Sequence, residues 1–319
     1  MILRTIALFI LMLGIGLIAG AQADKGSIPA HAALIHSLAV SPDGKFFASA
    51  SFDKTIKLWE LNNGSLKELK SLNEHKDNVY SVTFSPDGKK LASASVDKSI
   101  IIWSIPEGKV LSTLKGHTDL VSVVRFHPDG KSLVSAGGAL DKSVRIWDIS
   151  KEKELKNLGS HTGSIYSLAF SPDGKLLISS GAGTDNLIKV WDYSKQKLAK
   201  DLKGHSLGVT GVDFVYDGKL LSVSQDRTLR YWKAEEGKEI TKVGDSPDDY
   251  FGLALSKDRK IFATIGYSGI VTLWESGNNK AIWRKKGKTP GYSIAISPDG
   301  KYIFSGHENG TIQIFATGK

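Results

Sequence analysis

The sequence has no cysteine among its 319 residues, and this absence excludes several kinds of chemistry. Without thiols the chain has no disulfides, no thiolate metal ligands, no cysteine nucleophile and no cysteine for a lipid anchor. Low-complexity tracts are also missing, and the nine prolines are scattered at turn-like positions. Because proline and glycine are not pooled anywhere, no linker or domain boundary is indicated after the first 23 residues.

Long apolar runs are scarce, and the one that occurs lies at the N-terminus. Arg4 is the only charge before a nearly all-apolar run from Thr5 to Ala19, which leads to the small-x-small ending Ala21-Gln22-Ala23. This order is typical of a secretory signal peptide, which we expect to span residues 1–23 and to be cut before Asp24. The alternative, an uncleaved anchor, is less favoured because the run is short for a bilayer. We therefore expect a periplasmic or secreted protein that folds over residues 24–319.

What the sequence does contain is a long-period repeat. The tetrad Ser41-Pro42-Asp43-Gly44 recurs, intact or altered, with first residues at positions 85, 127, 171, 215, 256 and 297. A second marker keeps the same spacing, and two independent markers with one period indicate seven repeats. This second marker is Trp59, Trp103, Trp147, Trp191, Trp232, Trp274 and, in the last repeat, Phe315.

Each repeat divides into short apolar runs separated by turn residues. In the second repeat the alternating run Val79–Phe84 precedes Pro86-Asp87-Gly88, and further runs cover Leu91–Ser95, Ile100–Trp103 and Val110–Leu114. Four short strands per repeat are typical of a propeller blade. A β-sandwich also accommodates four-stranded meanders, but only radial repetition explains the strict period. We predict an all-β, seven-bladed propeller with four antiparallel strands per blade.

At these positions the sequence resembles the WD40 family, over residues 30–315. Gly116-His117 and Gly204-His205 match the family's Gly-His pair, and Trp147-Asp148 and Trp191-Asp192 match its Trp-Asp pair, whereas other repeats have drifted. The resemblance implies a buried hydrogen-bonded set in each blade, a His, a Ser, an Asp and the Trp, which we call the brace. Repeats one to five supply it as His31, Ser49, Asp53, Trp59; His75, Ser93, Asp97, Trp103; His117, Ser135, Asp141, Trp147; His161, Ser179, Asp185, Trp191; and His205, Ser222, Asp226, Trp232.

We interpret the brace as structural, since a buried indole, hydroxyl and imidazole each need a hydrogen-bond partner. Five catalytic triads or five metal sites are the alternative, and five copies of either would serve no purpose. Repeats six and seven lack the His, so we expect their blades to be the softest. What remains there is Thr264, Ser268 and Trp274 in repeat six, and Ser305, Asn309 and Phe315 in repeat seven.

Only residues 316–319 follow Phe315, too few for the outer strand that other repeats have. Relatives in the WD40 family close the ring by giving an N-terminal strand to the last blade. The resemblance thus implies that residues 24–30 form the outer strand of blade seven. Because that strand would begin at the cleavage site, we expect signal removal and ring closure to be linked.

The resemblance also implies that partners bind the top face, where the inner strands begin. In this sequence the top-face positions are mostly aromatic or aliphatic, as at protein-binding surfaces. We expect an exposed patch over blades six, seven, one and two, with blade packing or lining of the channel mouth as the alternative. The predicted partner-binding residues are His36, Phe52, Tyr80, Leu120, Leu140, Tyr166, Phe251, Tyr267 and Tyr292.

The opposite face carries a lysine after each tetrad, which contributes to the net charge of +9. Such a basic rim can attract an anionic surface, although solvated turn lysines are the simpler interpretation. Trp283, in the predicted outer strand of repeat six, breaks the pattern and either packs between blades or marks a second contact. The rim lysines are Lys45, Lys89, Lys131, Lys175, Lys219, Lys260 and Lys301.

Catalytic residues, a metal site and cofactors are not predicted. Outside the brace there is no ring of acids or histidines, with His307 and Glu308 isolated, and there is no phosphate loop or haem motif. No basic groove with stacking rings favours nucleic acid. We predict a monomeric, non-catalytic scaffold of the cell envelope that binds one or more proteins. The alternative is an exported propeller enzyme or small-molecule binder that uses the central channel.

Overall fold

The computed structural model describes residues 24–183, 185–244, 246–277 and 280–319. The predicted signal peptide, residues 1–23, lies outside the described residues. Within those ranges the chain forms seven four-stranded antiparallel sheets, which confirms the predicted propeller. None of the described residues belongs to a helix long and apolar enough to cross a membrane.

The strands follow one another blade by blade, from the inner edge of each sheet outward. Blades one to four consist of β2 (Ile35–Val40), β3 (Phe46–Ser51), β4 (Ile56–Asn62) and β5 (Ser65–Leu72); β6 (Val79–Phe84), β7 (Lys90–Ser95), β8 (Ser99–Ser104) and β9 (Val110–Lys115); β10 (Val121–Phe126), β11 (Ser132–Gly137), β12 (Ser143–Asp148) and β13 (Lys153–Ser160); and β14 (Ser164–Phe170), β15 (Leu176–Ala182), β16 (Ile188–Asp192) and β17 (Lys197–Leu202). Blades five to seven consist of β18 (Val209–Phe214), β19 (Leu220–Ser224), β20 (Leu229–Lys233) and β21 (Lys238–Val243); β22 (Tyr250–Leu255), β23 (Ile261–Gly266), β24 (Ile270–Glu275) and β25 (Ala281–Lys286); and β26 (Gly291–Ile296), β27 (Tyr302–His307) and β28 (Thr311–Ala316), with β1 (Asp24–Pro29) outermost.

The repeated tetrad makes the turn between the two inner strands of a blade. In blade one the Ser41 hydroxyl donates to Asp43 Oδ1 (2.6 Å) and accepts from the Phe46 amide (2.9 Å). Gly44 closes the turn at φ +74°, a left-handed conformation that glycine adopts without strain. The tetrad recurs because each of its polar residues satisfies the turn backbone.

The hydrophobic core lies between neighbouring blades. Trp103 of blade two belongs to one buried cluster with Leu58 and Leu72 of blade one. Side-chain hydroxyls add bonds across the same gaps: Ser37 Oγ accepts from the Val82 amide at 3.1 Å, for example. Each blade is therefore stabilised mainly by its two neighbours.

Strand β1 completes blade seven by antiparallel pairing with β28. The amides of Ala30 and His31 both donate to the Gly310 carbonyl at 2.9 Å, which fixes the chain as it passes into blade one. Ile28 packs against the cluster shared by blades seven and one. The first and last blades are thus held together by one strand from each end of the described chain.

Trp283, for which two interpretations were open, lies half-buried on β25. Its ring centroid is 6.1 Å from that of Phe315, and it packs against the core cluster shared by blades six and seven. These contacts favour the packing interpretation.

Deleting residues 24–29 removes the β1–β28 ladder and leaves the edge of β28 unpaired. We expect the melting temperature, measured by circular dichroism, to fall by about 5–10 °C. The control Lys25→Ala loses only the contacts of the Lys25 ammonium with Asn63 O (2.8 Å) and Tyr302 (3.1 Å), so its shift should be much smaller. An unchanged melting temperature for the deletion would show that β1 does not stabilise the ring.

Candidate functional site

The brace residues of blades one to five lie in hydrogen-bonding contact. In blade two, His75 Nδ1 is 2.8 Å from Asp97 Oδ2 and its Nε2 is 2.7 Å from Ser93 Oγ. The Trp103 indole donates to the same Ser93 oxygen at 2.8 Å, which leaves the hydroxyl proton for the imidazole. The matching distances in blades one, three, four and five are between 2.6 and 3.0 Å.

The brace aspartates are held ionised by these contacts. Burial alone would raise the pKa of Asp97, but hydrogen bonds from His75, Ser99 and the Lys76 amide outweigh it and hold the pKa well below its usual range. The same causes act on Asp53, Asp141, Asp185 and Asp226. The histidine and serine of each brace are thus engaged with neighbours in their own blade.

Blades six and seven keep part of this arrangement, with other residues. In blade six the Trp274 indole donates to Thr264 Oγ1 at 2.9 Å, and Asp248 accepts from the Ser268 amide and hydroxyl at 2.6 and 2.7 Å. Sequence reasoning missed Asp248 because it stands before the inner strand rather than six residues before the tryptophan.

Blade seven contains a histidine, His307, whose structural role the comparison of the repeats did not predict. It is fully buried at the end of β27, with Nε2 2.8 Å from Ser305 Oγ and Nδ1 3.0 Å from the Thr289 carbonyl. Phe315 has no indole N–H to donate to the hydroxyl of Ser305. That hydroxyl is hydrogen-bonded to the His307 imidazole instead. Blade seven therefore has its own histidine, and the greater softness of blades six and seven stays a prediction.

At the top face, the predicted residues of blades one and two form the His36 cluster: His36, Phe52 and Tyr80. The His36 ring lies 5.3 Å from Phe52 and 4.4 Å from Tyr80, and these two rings are 4.9 Å apart. His36 Nδ1 donates to the Tyr80 carbonyl at 2.8 Å across the blade boundary. Burial lowers the pKa of His36, so its imidazole is neutral at neutral pH.

The predicted residues of blades six and seven form the Tyr292 cluster: Phe251, Tyr267 and Tyr292. The ring centroids of Phe251 lie 5.7 Å from Tyr267 and 5.5 Å from Tyr292, and those of the two tyrosines are 6.2 Å apart. Tyr267 is 48% exposed. The His36 and Tyr292 clusters share one end of the channel, and we call them together the mouth surface.

The remaining predicted residues do not join these clusters. Tyr166 is exposed and lines the channel mouth on blade four. Leu140 projects from blade three with 84% of its surface exposed, and Leu120 lies half-buried over Gly138. Neither leucine lines the cavity at the channel mouth.

The mouth surface opens into a cavity of about 380 Å³ bounded by all seven inner strands. Small residues such as Ser81 and Gly252 line its wall, and among the described residues Arg125 of β10 is the charged one in that lining. Asp213 of β18 lies beyond it, on the part of the channel nearer the opposite face, which Arg125 also lines. Sequence reasoning missed both charges.

A signal for these two residues existed in the repeat. Arg125 and Asp213 both stand two positions before a tetrad, where the other five repeats have small residues. Comparing repeats at this position would have marked the two charges as exceptions inside the ring. The five small residues are Ala39, Thr83, Ala169, Ala254 and Ala295.

On the opposite face, each rim lysine shares its turn with the aspartate of the tetrad. The lysine ammonium and aspartate carboxylate are 2.6 Å apart for Lys219 and Asp217, and 3.2 Å apart for Lys175 and Asp173. Hydrogen bonds from Ser171 and Lys175 lower the pKa of Asp173 to about 2, so its carboxylate is ionised. The rim therefore alternates in charge and is not a purely basic ring.

No three His, Asp or Glu side chains of the described ranges are grouped as metal ligands would be.

A family model and a yeast protein match parts of this chain. The family model described as "WD domain, G-beta repeat" matches residues 23–60, 66–104, 108–148, 152–192, 196–233 and 286–315, well over half of the chain. The strands of blade six fall between the matched segments. A stretch of 38 residues is 53% identical to U3 small nucleolar RNA-associated protein 13 of Saccharomyces cerevisiae and covers 12% of this chain and 5% of the yeast protein.

Blade two offers a test of the brace. Ser93→Ala removes the oxygen that both His75 and Trp103 contact, which leaves buried polar groups without a partner. We expect the free energy of unfolding to fall by about 2–4 kcal/mol in urea titrations. Ser65→Ala, at an exposed position on β5, is the control and should be nearly neutral. Equal stability of the two variants would contradict a stabilising brace.

Proposed function

This chain belongs to the WD40 family, and we propose that it is a non-catalytic scaffold that binds partner proteins through the mouth surface. Propellers of this family are generally protein-interaction scaffolds. The observation that carries the proposal is the gathering of six aromatic and imidazole rings at one end of the channel, with Tyr267 half exposed.

The chemistry of the mouth surface suits a protein partner. Aromatic side chains present large apolar areas and lose little conformational entropy on binding. Here the rings already contact one another, and the Tyr80 carbonyl is fixed by His36. A partner would therefore meet a surface whose side chains are largely preorganised, which favours binding.

We further propose that the scaffold acts outside the cytoplasm, in the periplasm or after secretion. The support is the order of charge, apolar run and small residues in segment 1–23.

Cleavage can be read from the mass of the native protein. We expect the protein isolated from the envelope or the medium to begin at Asp24, as measured by intact mass spectrometry and N-terminal sequencing. Recovery of a chain that still carries residues 1–23 would rule out cleavage there.

The partner surface is tested by affinity capture from envelope extracts of the native source. We expect Tyr80→Ala with Tyr292→Ala to lower recovery of the captured proteins by about tenfold or more, since each ring is a candidate hot spot. Tyr216→Ala is the matched control, because Tyr216 is exposed but lies in the tetrad turn of blade five on the opposite face. The same recovery with the double variant as with the control would place the partner elsewhere.

A further inference from the structure

We propose that the cavity beneath the mouth surface is a binding site for a carboxylate, which Arg125 holds, attached to an apolar or aromatic body. The site goes beyond the protein-binding role of the mouth surface, because it depends on a charge inside the ring rather than on the exposed rings. Three observations carry it: the free donors of Arg125, the isolation of its charge and the composition of the cavity wall.

The Arg125 guanidinium has most of its donors available. Among the described residues its guanidinium makes one hydrogen bond, in which Nη1 donates to the Val124 carbonyl of the same strand at 3.0 Å. A guanidinium has five N–H donors in a planar fork and matches a carboxylate with two parallel bonds. Burial lowers the pKa of Arg125, yet an arginine side chain stays protonated at any physiological pH. An anion is thus the complement that this group lacks.

The charge of Arg125 is not neutralised by the nearest acid in the channel. Asp213 Oδ1 accepts from Arg259 Nη1 at 3.0 Å and from the Phe214 amide at 2.7 Å. Within the described chain no carboxylate lies within 4 Å of the Arg125 nitrogens. Asp213 therefore only weakens the field of the cation from a distance.

Arg259 is itself an exception to the repeat. It stands where the other six tetrads have glycine, and its φ of +59° is in the left-handed region that disfavours a side chain. The strain is compensated by the bonds of its guanidinium to Asp213 and to the Phe214 carbonyl. The Asp213 carboxylate is thus paired with an arginine of the next blade.

Arg125 supplies the charge in a cavity wall whose hydroxyl groups take part in bonds between blades. The hydroxyls around it are already bonded across blade boundaries: Thr210 donates to the Tyr250 carbonyl at 2.8 Å, and Ser293 donates to the Ile35 carbonyl at 2.9 Å. Ser81 and Ser167 accept from backbone amides of the next blade. Toward the mouth the wall presents the rings of the His36 and Tyr292 clusters, and a volume of about 380 Å³ is that of a small-molecule pocket.

A carboxylate fits this site better than a phosphate. A phosphate carries between one and two negative charges at neutral pH, whereas the cavity offers one cation with Asp213 further along the same channel. Asp77 and Asp119 also lie on the top face, in the loops that lead into β6 and β10. The ligand therefore carries one negative charge at its tip, and its body is neutral.

Calorimetric titration of the full chain with 3-phenylpropionate and with its neutral amide tests the charge. We expect the acid to bind about tenfold more tightly than the amide, because charge-assisted bonds to arginine are the stronger ones. In Arg125→Met the acid should bind no better than the amide. A preference that survives Arg125→Met overturns the proposal, and so does equal binding of acid and amide here together with equal binding of the charged and neutral peptides described below.

Two further variants exclude trivial explanations. Arg227→Met removes an exposed arginine that pairs with Asp249 on the top rim, and it should leave the preference for the acid unchanged. Asp213→Asn removes the opposing charge, so the acid should bind about two- to fivefold more tightly. A gain in affinity does not arise from misfolding, and loss of the preference in Arg227→Met would mean a surface effect and overturn the site.

Two sets of titrations distinguish the two sources of the carboxylate, a free small acid and the side chain of a peptide. One uses the free acid, and the other compares blocked tripeptides Phe-Glu-Phe and Phe-Gln-Phe. A preference in either set that depends on Arg125 supports the site and identifies its source, whereas inorganic phosphate binding more tightly than both overturns the carboxylate. Arg125→Met should still capture the partners of the mouth surface, so failure of this site and failure of the protein-binding role are distinguishable.

Discussion

Burial of each blade's apolar face against the next blade is the constraint on which this structure depends. Trp103 shares one buried cluster with side chains of blade one and of its own blade, and a similar cluster fills the gap between blades two and three. A blade on its own would expose that face to water, so stability requires a complete ring. The pairing of β1 with β28 follows from this requirement, because blade seven would otherwise lack its outer strand.

The brace allows this packing between blades by satisfying the polar groups that are buried inside each blade. A tryptophan placed in the gap between blades brings its indole N–H into the interior, where it needs an acceptor. Ser93 provides that acceptor, and His75 and Asp97 complete the set. Where the tryptophan is replaced by Phe315, the donor is lost and a different histidine, His307, bonds the serine. The replacement of the tryptophan by Phe315 and the use of His307 are therefore linked through the hydroxyl of Ser305.

The residues available for binding lie at positions that are not needed to pack one blade against the next. Around the channel the inner strands must approach closely, so small residues recur there and Ser37 and Ser81 bond adjacent blades. Arg125 departs from this rule with a charged side chain that lines the cavity, and the rings of the mouth surface contact one another at the rim. These are the places where binding chemistry is available.

The repeat allowed much to be predicted. Two markers with one period indicated the number of blades, and turn residues marked the strands of the second repeat to within a residue. The five full braces followed from fixed offsets, because a hydrogen-bonded set within one blade is local in the repeat. The roles of His307 and Asp248 did not follow, since each reaches its partner from an unusual position.

The sequence by itself determined the architecture, since a repeated unit that cannot bury its own face has to stack radially. It also marked the residues of the mouth surface as a group. Only the tertiary structure decided that Phe251 meets Tyr292, and that Asp213 is held by Arg259 while Arg125 is left with free donors. Both contacts bring together side chains about 40 residues apart, on different blades. The distances between these side chains depend on how the blades are arranged in the closed ring. No local sequence pattern encodes that arrangement.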